Sequence, residues 1–154
     1  MMRRRTWTVA LAGLVLVAVA ATARADGYST KQNKEDEYRV GVKFLPEVEA
    51  GDRTTARLWI VACSGWKVNE KYPTKVVVTA PGGVSLPEDT FDADDALSMD
   101  SKKAVFRVGY TPESSGKHTM KAKVKMSVCK GKEECIVRTE NLSWTVTATE
   151  GSGG

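Results

Sequence analysis

The residues best suited to chemistry in this chain carry sulfur. Cys129 and Cys135 are separated by five residues, Lys130-Gly131-Lys132-Glu133-Glu134, between two stretches of alternating polarity. A short connection containing glycine reads as a hairpin. Facing residues of a narrow antiparallel pair lie about 4.5 Å apart at Cα, within disulfide range. A bond there would close a very small loop, restricting the unfolded chain by only about 2 kcal/mol. As a staple it would contribute little, whereas at an exposed hairpin end it is open to attack by a partner thiolate. Lys130 and Lys132 favour a thiolate while Glu133 and Glu134 oppose one, so the flanking charges leave the sign open. Cys63 makes the count odd. It closes an apolar stretch and reads as a small buried residue, although three cysteines permit three pairings.

Other chemistries fare worse. The single histidine, His118, excludes a two-histidine metal motif, and no Gly-x-Ser-x-Gly elbow accompanies it. Met99, Met120 and Met126, with His118 and the cysteines, are soft enough for copper. Met120 and Met126, however, fall on the inward face of an alternating strand, where core packing is the simpler role. Glu88, Asp89, Asp92, Asp94, Asp95 and Asp100 form a dense acidic stretch. A calcium loop starting at Asp92 needs glycine sixth and glutamate twelfth, and finds Leu97 and Lys103. A calcium site is therefore rejected. A solvated acidic loop with Phe91 as an ordinary core aromatic is one reading of this stretch, and a family resemblance supplies the other. No metal and no organic cofactor is implied.

The elements that must hold these residues alternate with a period of two. Tyr38, Val40, Val42 and Phe44 form one set, and Ala56, Leu58, Ile60 and Ala62 another. Met120, Ala122, Val124, Met126 and Val128 interleave with Lys121, Lys123, Lys125 and Ser127, giving one dry and one wet face. The lysines read as a solvated outer face, with charge protecting an edge strand from pairing. Residues 76–78, 105–110 and 142–148 add β-branched and aromatic strands. Turn residues at 49–52, 81–83 and 112–116 separate them. These features predict an immunoglobulin-like antiparallel β-sandwich of about seven strands over residues 37–148. A flexible polar segment at 26–36 precedes it, and a flexible tail at 149–154 follows.

Residues 1–25 read as a cleaved signal peptide. Arg3, Arg4 and Arg5 precede a 15-residue apolar run, and Ala23 and Ala25 supply the small residues before cleavage at Asp26. The run falls short of the roughly 20 residues that span a bilayer. A periplasmic or secreted protein without a membrane anchor is expected, in a compartment where disulfides persist. The 23 basic and 19 acidic residues give a formal charge of +4, but the leader holds four arginines and no acid. The rest of the chain is neutral, with 19 of each, which argues against a nucleic-acid partner.

Three stretches, in their order along the chain, resemble the periplasmic N-terminal domain of the DsbD thiol:disulfide interchange family. Trp59-Ile60-Val61-Ala62-Cys63-Ser64-Gly65-Trp66 is similar to that family's strand ending in alanine and a glycine–aromatic pair. Glu88-Asp89-Thr90-Phe91 is similar to its cap loop, in which an aromatic residue shields the active disulfide. Cys129 and Cys135 match its cysteine pair in spacing and order. The resemblance implies an immunoglobulin-like fold, a Cys129–Cys135 redox disulfide under a cap of Glu88, Asp89 and Phe91, and a mixed disulfide through Cys135. The partner it implies is a periplasmic thiol–disulfide oxidoreductase or another exported protein. The alternative expectation is a non-catalytic exported sandwich that binds a protein partner, with the disulfide as a structural staple.

Overall fold

The computed structural model describes residues 25–151, so all of the expected leader except Ala25, and the last three residues, lie outside the described residues. Twelve strands run in chain order: β1 Gly27–Gln32, β2 Tyr38–Phe44, β3 Glu47–Glu49, β4 Thr54–Ala62, β5 Trp66–Val68, β6 Lys75–Thr79, β7 Val84–Ser85, β8 Thr90–Asp92, β9 Ser98–Met99, β10 Lys103–Pro112, β11 Gly116–Lys130 and β12 Glu134–Thr149. One sheet is ordered β1-β2-β4-β10-β7, with β9 also on β10; the other is β3-β12-β11-β6-β8, with β5 also on β11. Every pairing is antiparallel except that of β3 with β12.

The segment after β1 is split between the sheets, β2 pairing with β4 in one and β3 running parallel to the last strand in the other, which is the immunoglobulin arrangement. The fold is an immunoglobulin-like β-sandwich, as the alternation predicts. The count exceeds seven because two- and three-residue strands lack the length to show a period.

The alternating apolar residues meet between the sheets. Val40, Val42, Leu58, Ile60, Phe106 and Val108 face Val76, Met120, Val124, Met126, Val128 and Val146, all fully buried. Met120 and Met126 are thus core residues. Trp144 lies edge-on to Tyr110 at 6.3 Å between centroids and donates its indole N–H to the Tyr110 hydroxyl at 3.3 Å. That contact lets both large rings be buried with their polar atoms satisfied. His118 is buried as well, its Nε2 2.7 Å from the Ser114 carbonyl oxygen.

Two expectations need correction. The segment expected to be flexible at 26–36 contains β1, which pairs with β2 over six residues. Its alternation is masked because this edge strand is exposed along most of its length. The turn after it is built by Asn33, whose side-chain oxygen accepts from the main-chain N–H groups of Glu37 at 2.7 Å and Tyr38 at 3.2 Å. The second correction concerns β11, which lies inside its sheet, between β12 on one side and β5 and β6 on the other. Its lysines form a solvated outer face, as expected, but the edge belongs to β12.

Candidate functional site

The β11–β12 hairpin places the two cysteines. Its register is continuous from Gly116↔Ala148 to Lys130↔Glu134, with Cys129 opposite Cys135. Gly131, at φ 68°, supplies the left-handed residue of the turn. The cysteines are bonded, with Cα atoms 4.0 Å apart, matching the narrow class of antiparallel pair. The main chain gives the same parity. Thr147 donates to the Pro46 carbonyl at 2.8 Å, away from β11, and Cys135 is an even number of residues from it along β12. Cys135 therefore also directs its N–H and C=O away from β11.

The sulfurs lie on the outer face of the sheet. Val128 and Val68 point inward and are buried, so their neighbours Cys129 and Lys67 point outward together, facing each other in register. Cys135 is exposed and Cys129 half-buried. Lys130 and Glu134 face each other on the opposite side of the hairpin. The charge that faces Cys129 in register on this outer face is thus Lys67. Sequence reasoning missed it, because the pairing of β5 with β11 joins residues some sixty positions apart.

The stretch ending at Trp66 is a turn that delivers β5. Cys63 accepts at its carbonyl from the Trp66 N–H at 2.9 Å, and its own N–H donates to the Glu37 carbonyl at 2.9 Å. Gly65, at φ 82°, allows the reversal. Trp66 then lies opposite Lys130, so Cys63 belongs to the same end of the sandwich as the disulfide. Cys63 is a free, half-buried thiol rather than the fully buried residue expected from sequence. It follows the strand end, where the second sheet no longer covers it.

The cap residues are elsewhere. Phe91 lies on β8 opposite Val76, which lies opposite Val124, and all three are buried in the core. Val124 precedes Cys129 by five residues, an odd number, so Phe91 faces inward where the sulfurs face outward. The offset along β11 is roughly 17 Å. Phe91 is a core aromatic and does not cover the disulfide. Glu88 and Asp89 are exposed beside it. Asp92 caps the short 3-10 turn at Ala93–Asp95, accepting from the Asp94 N–H, while the Asp95 carboxylate accepts from the Asp92 N–H. The Asp100 carboxyl is held below its ordinary range by the main-chain N–H groups of Lys103 and Lys102. These acids organise their own loop, and among the described residues no three His, Cys, Asp or Glu side chains are grouped to hold a metal.

No family model and no curated protein sequence matches the chain. Among solved structures it is similar to the GAE domain of GGA2p from Saccharomyces cerevisiae, at 12% identity and a TM-score of 0.47, covering 81% of this chain and all of that one. It is also similar to a cohesin module of a family 33 glycoside hydrolase from Clostridium perfringens, at 13% identity and a TM-score of 0.40, covering 83% of this chain and 99% of that one.

Proposed function

We propose that the chain is an exported thiol–disulfide exchange module whose redox pair is Cys129–Cys135. The observation that carries this reading is the position of Cys135: exposed, on the outer face, on the strand whose far side is open. Cys129 is hemmed in by Cys135 and Lys67. An incoming thiolate therefore reaches Cys135 first, and Cys129 departs beside a cation that favours its negative charge. The resemblance to the DsbD N-terminal family agrees with Cys135 as the sulfur that forms the mixed disulfide. It does not extend to a cap, since Phe91 is in the core. The partner would be a periplasmic thiol–disulfide oxidoreductase or another exported protein bearing a reactive cysteine.

Export is part of the proposal. Mature protein recovered from outside the cytoplasm should begin at Asp26, and an intact leader in the membrane fraction would contradict it. The redox reading is tested by equilibrating the mature protein with glutathione. A structural disulfide typically has a potential below about −300 mV, whereas an exchanging one is more oxidising. The Cys129→Ser variant should trap a partner through Cys135. A pair that stays oxidised under strongly reducing glutathione, with no trapped partner, would leave the hairpin bond as a staple on a protein-binding sandwich.

A further inference from the structure

The far side of β12 is a ladder without a partner. Its main-chain pairings are with β11 along its length and with β3 only at Thr147, Ala148 and Thr149. By the parity established above, Cys135, Val137, Thr139, Asn141, Ser143 and Thr145 all direct their N–H and C=O groups to that side. Among the described residues no strand pairs with them there. The β1–β2 hairpin runs close beside β12 without a main-chain pairing to it, held by Lys31 and Tyr38 on Glu140 and by Arg138 on Glu37. Long edges of this kind are usually blunted by lysine, proline or a bulge. Between Cys135 and Thr145, β12 has no lysine, no proline and an unbroken register. Its two charged residues there, Arg138 and Glu140, point inward and are paired with Glu37 and Lys31, while the outward row is uncharged. The edge is already used once: β3 adds to it in parallel where Thr147 donates to Pro46, and Ala50 donates to the Thr149 carbonyl at 2.8 Å.

We infer that β12 from Cys135 to Thr145 is a docking edge for an extended, acidic segment of the exchange partner, a segment that carries the partner's attacking cysteine. The inference rests on the exchange reading above and names how that site is recognised. Only an extended backbone can satisfy donors and acceptors spaced every second residue. The acidic preference comes from β11, where Lys121, Lys123 and Lys125 point outward and none forms an ion pair with a carboxylate among the described residues. Beside them β12 presents only Thr139, Asn141, Ser143 and Thr145, all uncharged. Asn141, Ser143, Lys121 and Lys123 line a trough of about 660 Å³ that runs across the outer face from Val77 and Thr79 on β6 to β12. A strand added outside β12 would lie roughly 10 Å from β11, within reach of lysine side chains.

The docked geometry also aligns the reaction. Strands are spaced about 4.8 Å apart, so Cys129, Cys135 and a partner cysteine opposite Cys135 fall in one row across the sheet. Attack on the Cys135 sulfur then proceeds along the existing bond. The partner thiolate bonds to Cys135, the Cys129–Cys135 bond breaks, and Cys129 leaves as a thiolate with the bonding electrons. A second partner thiolate attacks the partner's own sulfur in the mixed disulfide and releases Cys135 as a thiolate. The two-electron result is a dithiol here and a disulfide on the partner.

The test uses a synthetic peptide of about eleven residues, alternating threonine or valine with aspartate, with one cysteine near its end and a serine version for docking alone. In the mature protein, amides of Val137, Thr139, Asn141, Ser143 and Thr145 should exchange freely with solvent. The serine peptide should slow that exchange about tenfold or more, and methylating alternate peptide nitrogens should abolish the effect. Asn141→Pro removes an outward donor without touching the β11 ladder. It should slow reduction by the cysteine peptide about tenfold and leave reduction by 2-mercaptoethanol unchanged. Peptide protection confined to another face, or an equal slowing of both reductants, would overturn the inference. So would protection of these amides in the free protein that disappears on dilution, because a second copy would then occupy the edge. If Asn141→Pro does not fold, the methylated peptide still decides. Failure of 2-mercaptoethanol to open the disulfide would sink the exchange reading, while the serine peptide would still report whether the edge docks a strand.

Discussion

The Tyr38 hydroxyl donates to Glu140 at 2.5 Å, joining the start of one sheet to the inner face of the other across the open side of the sandwich. Glu140 is nearly buried and takes a second contact from the Lys31 ammonium at 2.6 Å. Two residues back along β12, Arg138 forks onto Glu37 with bonds of 3.0 and 2.9 Å, and Asn33 donates to the same carboxylate at 2.8 Å. These contacts fasten β1 and β2 under β12 where the two sheets share no main-chain bonds. Two buried carboxylates are acceptable there because each meets at least two donors.

Removing the Tyr38 hydroxyl should therefore cost more than an exposed hydrogen bond. Burial alone would raise the Glu140 carboxyl, but the donors Lys31 and Tyr38 outweigh it and hold the group below its ordinary 4.5. Its contribution to stability is present above that value and disappears as pH falls through the depressed one. Tyr38→Phe should lower stability by about 1.5–3 kcal/mol at neutral pH, with the deficit shrinking under acid as Glu140 protonates. Denaturant melts of both proteins between pH 7 and pH 3 measure this. A pH-independent difference would show that the hydroxyl is not acting through the carboxylate.

At the alkaline end the sign reverses. Burial, and then the bond to Glu140, raise the Tyr38 phenol well above its ordinary 10.0, and burial raises Tyr110 despite the bond from Trp144. Both rings bind protons more tightly folded than unfolded. Their stabilisation is complete below pH 10 and lost as pH climbs beyond it. Phenolate absorbance should show these two tyrosines ionising only as the protein unfolds, and Tyr38→Phe should flatten the alkaline fall in melting temperature. Reversible ionisation of all four tyrosines with native circular dichroism would contradict the burial argument.

Much of this architecture was legible in the sequence because β11 and β12 are long, half-buried strands, where period two is hard to mistake. The Cys129–Cys135 pairing was legible as a hairpin geometry for the same reason. What escaped were features set by distant pairings. β1 is exposed along most of its length and carries no periodic signal, so its polar residues resemble a flexible lead. Lys67 reaches the disulfide only through a three-residue strand docked on β11. Phe91 shows how a local motif misleads: the same acidic–aromatic string serves a loop or a core strand, and the register of β8 decides which.

Gly41 tests the register of the first sheet. It lies opposite Trp59, and a Cβ placed on it would come within 2.3 Å of the indole ring. The ring covers this glycine on the outer face of the sheet, and the same Cβ would also lie 2.9 Å from the Ser29 carbonyl oxygen on β1. Gly41→Ala should destabilise by about 1–3 kcal/mol through overpacking, even though alanine is the better strand residue. The double variant Gly41→Ala, Trp59→Leu should recover part of the loss. A Gly41→Ala protein as stable as the wild type would mean that the ring moves aside at no cost.

Lys67 gives the sharpest test of the electrostatics at the sulfurs. If its ammonium favours negative charge on departing Cys129, reversing the charge should slow opening of the disulfide. The residue is exposed, so solvent screens it, and the expected effect of Lys67→Glu is only about threefold, with Lys67→Gln intermediate. The reductant should be 2-mercaptoethanol, whose thiol carries no other charge, so that steering of an anionic reductant does not imitate the effect. Added salt should narrow the gap between variants. Lys132→Glu, on the exposed turn, provides the comparison, and its rate should change less. Equal slowing by the two substitutions would mean that the hairpin's overall charge sets the rate, and that the register of Lys67 with Cys129 does not.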